Sequence, residues 1–279
     1  MSDVSQAFVP GHITGFFTKD PDPDPTKAGS RGGGLTLSEG VTVTVRQSDH
    51  PETYLNGDPV EMEAVDRVLE TLDADAQVRA VTDLPLGSGF GVSGAMALGA
   101  ALAVNDAFER KLSERELTTI AHGAEVQAGT GLGDVVAQAR GGAPLRLEPG
   151  GPQDNVLDGI PERSRVEYHV LGELATDDVL ADAGEVLTQA STRALSMVVK
   201  EPTLATFMRA SRQFSREADL ITPAVRDVVL DVSEAGGTAA MAMLGETVFA
   251  LGTGLTDAGY DPGICQIHPG GATLQEPVE

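Results

Sequence analysis

Hydrophobic and polar positions along this chain fall into short runs whose period alternates between two residues and about 3.6, the signatures of strand and helix. Residues 5–17 read as a short strand broken at Pro10-Gly11 and followed by a second extended piece. Residues 35–46 alternate, with Val41, Val43 and Val45 set against Thr42 and Thr44, which predicts a strand with one buried face. Asn56-Gly57 marks a hairpin turn. Val60, Met62, Val65, Val68, Leu69 and Leu72 recur at helical spacing. Residues 78–81 are expected as a strand leading into a glycine-rich loop. Beyond that loop, small apolar residues predict a helix from Val92 or Ser93 to Phe108. Ser113-Glu114-Arg115-Glu116 is a capping box that opens a second helix toward Gln127, with Gly129 as its stop.

The second half is less sharply patterned. Gly141-Gly142 and Pro149-Gly150-Gly151-Pro152 break the chain, and the expected domain boundary lies there, giving units 1–150 and 151–279. Residues 166–171 resemble a strand, Thr176 a helix cap, and helical segments are expected toward Val199, over 202–218 and over 223–232. Residues 247–251 and 263–268 read as closing strands.

Composition narrows the function. The chain has 279 residues, 41% of them hydrophobic, enough for a large core, yet only 4% are aromatic and none is Trp. Asp and Glu number 42 against 19 Lys and Arg, a net charge of −23. Such a surface repels nucleic acid and anionic lipid, so neither is expected as a partner. The acids are spread along the chain, and the apolar fraction is too high for disorder. The remaining explanation is a surface built for concentrated salt, where screening removes most self-repulsion. One cysteine, Cys265, excludes an intrachain disulfide and is expected as a small buried residue. The first 20 residues lack a basic start and an apolar run, and no stretch approaches the roughly 18 consecutive apolar residues of a membrane span. A cytoplasmic protein, alone or as a homodimer, is the expectation.

The sharpest chemical signal is Pro85-Leu86-Gly87-Ser88-Gly89-Phe90-Gly91-Val92-Ser93-Gly94-Ala95. Its glycines free the backbone for positive φ and for close approach of a ligand, and the helix that follows offers unpaired N–H groups. Such a loop is a seat for phosphate. Three readings stand: a plain turn, a dinucleotide fingerprint through Gly89, Gly91 and Gly94, or a resemblance. A P-loop is excluded because no Lys follows the last glycine. The resemblance is to the second motif of the GHMP kinases, P-x-G-x-G-L-G-S-S-A-A, which phosphorylate small alcohols with ATP. Phe90, Val92 and Gly94 depart from that pattern, and Ser93 matches its second Ser.

Other motifs extend the resemblance. Val9-Pro10-Gly11-His12 is similar to the first GHMP motif, and Gly129-Thr130-Gly131-Leu132-Gly133-Asp134 to the loop that supplies the catalytic aspartate. Ser233–Ala242, with only Gly236-Gly237, sits where the third motif belongs. The resemblance implies the α+β, two-domain GHMP fold, with a ribosomal protein S5 domain 2-like N-terminal unit and a ferredoxin-like C-terminal unit. It implies that Pro85, Gly87, Ser88, Gly89, Phe90, Gly91, Val92 and Ser93 hold ATP, and that Ser93 and Glu125 hold Mg²⁺. Asp134 becomes the base; without the resemblance it reads as a helix N-cap, and Glu125 as a solvated helix residue. His12 either pairs with Asp134, touches the acceptor, or is a buried structural histidine. Pro10–Phe17, Gly29-Ser30-Arg31-Gly32 and residues 124–138 resemble the archaeal pantoate kinase group more than homoserine or mevalonate kinases. That likeness implies pantoate as acceptor, with His12, Thr130 and Arg31 around it and Arg140 in reserve for its carboxylate.

Overall fold

The computed structural model describes residues 4–172 and 184–276. Two sheets carry the chain. The first is built around β1 (Val4–Phe17) and β2 (Gly32–Gln47), which pair antiparallel along most of their length. β2 pairs on its other side with β5 (Ala76–Val81), which runs parallel to β3 (Glu52–Leu55) of the hairpin with β4 (Asp58–Pro59). Asn56 and Gly57 take φ of 53° and 94° at its tip, as Asn-Gly favours. β6 (Ala143–Glu148) and β7 (Val156–Ile160) extend the far end of β2, and β12 (Thr273–Gln275) returns to pair with β1.

α2 (Val92–Ala107) and α4 (Asp134–Arg140) pack against this sheet, and α1 (Glu63–Thr71) and α3 (Glu114–Ala128) pack in turn on α2. α2 is apolar all round and buried along nearly its whole length, so it forms the centre of the core. Gly99 is required there, because a Cβ would lie 2.6 Å from Val43 of β2. α3 starts with the Ser113 and Glu116 capping box and stops at Gly129, whose φ is 73°.

The second sheet is four-stranded and antiparallel, in the order β11 (Gly263–Gln266), β8 (Arg165–Gly172), β10 (Glu246–Leu251), β9 (Ala239–Ala242). Numbered within that sheet this is 4-1-3-2, the ferredoxin-like order. Between β8 and β9 run α5 (Gly184–Lys200), α6 (Leu204–Glu217) and α7 (Pro223–Glu234); a short α8 (Gly254–Asp257) precedes β11. The α+β architecture expected from the sequence is therefore present. Among the described residues no helix is long and apolar enough to cross a membrane.

Several local expectations change. β1 is one strand rather than two pieces, because Pro10 lies at a bulge beyond the end of β12, where its missing N–H leaves no gap. β2 begins three residues earlier than alternation suggests, at Gly32. Its glycines are tight: side chains at Gly33 and Gly34 would meet Phe16 and the His12 ring. The division at residue 150 falls inside the β6–β7 hairpin, whose strands pair across it. Thr176 lies outside the described residues.

Candidate active site

The loop before α2 is held from several sides. Gly87, Gly89 and Gly91 all have positive φ, at 76°, 86° and 63°. His12 N–H donates to the Phe90 carbonyl at 2.9 Å, and Gln138 Nε2 donates to the Gly91 carbonyl at 2.9 Å. Thr247 Oγ1, from the second sheet, donates to the Ser88 carbonyl at 3.0 Å. Phe90 is buried and meets Tyr168 edge-on, with ring centroids 4.8 Å apart. Phe90 and Val92 replace Leu and Ser of the motif and serve packing, since both side chains are in the core. A Cβ on Gly89 would come 2.8 Å from the Met243 carbonyl, so the loop and the β9–β10 turn approach backbone to backbone.

A cavity of about 960 Å³ opens over this loop, lined by Gly87, Gly89, Gly91, Ser93, Glu125 and Asp134 among others. Beside it lies a smaller cavity of about 370 Å³, lined by Lys19, Ser30, Gly131 and Arg146. Thr14, Gly129, Thr130, Asp134 and Leu244 line both. A carboxylate thus stands on the wall shared by two neighbouring cavities.

Asp134 is the first residue of α4 and not its cap; Gly133 occupies the cap, and the Asp134 side chain turns to His12 instead. His12 Nδ1 lies 2.7 Å from Asp134 Oδ1. Burial lowers the His12 pKa, so the ring is neutral and donates Nδ1–H to the carboxylate. Burial, the largest single effect, pushes Asp134 up, but contact with His12, the nearby Arg146 charge and a backbone hydrogen bond together outweigh it and hold the carboxyl below the usual carboxylate range. His12 is buried and lines neither cavity, so it stands as a buried partner of Asp134 and not against either cavity.

Glu125 is buried, and burial, reinforced by the neighbouring Asp134 charge, pushes its pKa up to about 7. Ser93 Oγ lies 3.1 Å from Glu125 Oε2 and 3.2 Å from Thr130 Oγ1. Hydroxyl and carboxylate oxygens at this spacing suit a hard divalent cation that also takes phosphate oxygens and water. Among the described residues no group of three or more His, Cys, Asp or Glu gathers as a self-sufficient metal site.

Arg146 was not singled out in the sequence. It projects from β6 into the interior, donates from Nε to the Ser30 carbonyl at 3.3 Å, and leaves Nη1 buried with no partner among the described residues. A lone arginine in the apolar run Ala143–Leu147 was the available signal. Met243 and Leu244 were also missed; they, not Gly236-Gly237, reach the large cavity. Gly236 and Gly237 close the end of α7. Arg31 does not face either cavity: Asp20 takes its guanidinium at 2.9 Å. Arg140 also lines neither, donating to the Gly141 carbonyl at 3.0 Å and packing over Gly159.

The model of the GHMP kinases N terminal domain matches residues 61–142. Pantoate kinase of Methanospirillum hungatei is 34% identical over 259 residues, covering 88% of this chain and 86% of that protein. Pantoate kinase of Thermococcus kodakarensis is 34% identical over 262 residues, covering 88% and 87%. The chain belongs to the pantoate kinase family of GHMP kinases. A solved structure described as a phosphotransferase related to the CoA biosynthesis pathway superposes with a TM-score of 0.88 at 31% identity, covering 98% of both chains. Membership in the pantoate kinase family ends the dinucleotide reading of the loop. The topology agrees, since α2 is followed by α3 and not by a second parallel strand.

Proposed function

We propose that this kinase transfers the γ-phosphoryl group of ATP to the primary hydroxyl of pantoate, giving 4-phosphopantoate and ADP. The observation that carries the reading is the ionised Asp134 on the wall between the two cavities, with the unpartnered Arg146 Nη1 at the smaller one. ATP lies in the larger cavity, its phosphates on the N–H groups of residues 87–93 and the N-terminus of α2. Pantoate occupies the smaller cavity, its carboxylate on Arg146 and its hydroxyl toward Asp134 and Thr130. The pantoate oxygen forms its bond to γ-phosphorus as the bond from phosphorus to the β,γ-bridging oxygen breaks. The hydroxyl proton passes late to Asp134, which His12 holds in position. Mg²⁺, held by Ser93 and Glu125, offsets phosphate charge when bound.

The acidic surface supports a cytoplasm rich in salt as the setting. We read the first unit as residues 1–160 with β12 returning to it, and the second as the ferredoxin-like sheet with its helices. A homodimer remains part of this reading and is checked by light scattering. The decisive assay incubates the protein with Mg·ATP in concentrated salt and offers hydroxy acids and alcohols, including homoserine and mevalonate. Mass spectrometry should find phosphopantoate as the main product; preference for homoserine, mevalonate or any other acceptor over pantoate would refute the assignment.

A further inference from the structure

Between α6, α7 and the edge strand β9 lies a recess of about 340 Å³ that the reaction above does not use. Arg212 and Arg216 of α6 and Arg226 of α7 line it. In a chain with 42 acidic and 19 basic residues, three arginines gathered on one recess reverse the balance of charge locally. None of the three around the recess forms an ion pair among the described residues. Arg212 Nη2 reaches only Ser233 Oγ, at 3.3 Å, and Arg216 Nε only the Arg212 carbonyl, at 3.3 Å. One carboxylate, Asp219, shares the wall.

Helix ends account for part of this placement. Arg212 and Arg216 sit toward the C-terminus of α6, where cations are favoured. Arg226 sits near the N-terminus of α7, where a cation is disfavoured and the first turn carries no acid. An anion bound in the recess would lie against the arginine-bearing walls of both helices. Guanidinium forks match phosphate oxygens in pairs. Ala240, Met241, Ile221 and Val229 add an apolar side to the same recess.

We propose that this recess binds a small phosphate monoester with a short aliphatic portion. Its occupancy is felt at the nucleotide cavity, because β9, with Ala240 and Met241 on the recess, runs directly into Met243 and Leu244 there. The site does not depend on which alcohol the enzyme phosphorylates.

The test is calorimetric titration of the full chain with monobutyl phosphate while Mg·ADP saturates the nucleotide cavity. Saturable binding is expected, with none for butanol and weaker binding for inorganic phosphate. Arg216→Gln with Arg226→Gln, both at exposed side chains, should weaken it about tenfold or more while KM for ATP without the probe stays unchanged. Absence of binding in the wild type, or equal affinity in the variant, overturns the site. Equal affinity for inorganic phosphate overturns the aliphatic part, and binding that leaves KM for ATP unmoved overturns the coupling through β9.

Discussion

Arg146 illustrates how much rests on single buried groups. A guanidinium without a full set of acceptors in the interior is costly unless a ligand completes it. Arg146→Gln should therefore raise KM for pantoate by about 10- to 100-fold, with KM for ATP little changed, because a charge-assisted pair is lost only on the acceptor side. Steady-state kinetics with each substrate varied in turn checks this. Glu125 carries the pH dependence. Its pKa in the fold, about 7, exceeds its ordinary value of 4.5, so the folded protein holds an extra proton between those limits. Stability from this group is full below the lower value and falls as pH rises through about 7, by roughly 3 kcal/mol at most. Denaturant titrations without metal should show that decline, and Glu125→Gln should flatten it. Below that pKa, apparent Mg²⁺ affinity should weaken up to about tenfold per pH unit, since the metal needs the carboxylate.

At the scale of elements, the glycine loop before α2 owes its shape to partners on three others: β1, α4 and β10. Thr247→Val removes the bond to the Ser88 carbonyl from the second sheet while keeping volume. It should raise KM for ATP several-fold with the fold intact, as read by kinetics beside circular dichroism. The helices on the first sheet were legible because local signals agreed: the capping box at Ser113, the Gly129 stop and the periodicity over 60–72 all have counterparts in the structure. The glycine loop and Asp134 were legible for the same reason, as each sits in a distinctive local string. The pairing of Arg31 with Asp20 was not legible, because it follows from strand pairing between Asp20 and Gly29, which no local pattern reveals. Strands β6, β7 and β12 were missed because they are short, and their pairing is settled by residues far away in sequence.

The whole molecule brings its two sheets together at one cleft: the loop before α2 and Asp134 come from the first, Met243 and Leu244 from the second. The proposal of a salt-adapted surface rests on few lysines, a net charge of −23 and acids along the entire chain. Dialysis into dilute buffer should unfold the protein, and circular dichroism unchanged there would count against a salt-adapted surface. The central claim is that ATP lies on the loop with Asp134 facing its γ-phosphate across the shared wall. Comparing Asp134→Asn with the wild type for turnover and for ATP binding in the same preparation tests it most directly. Turnover should fall by about 10²- to 10⁴-fold with ATP affinity within about twofold. Wild-type turnover in that variant would contradict the account.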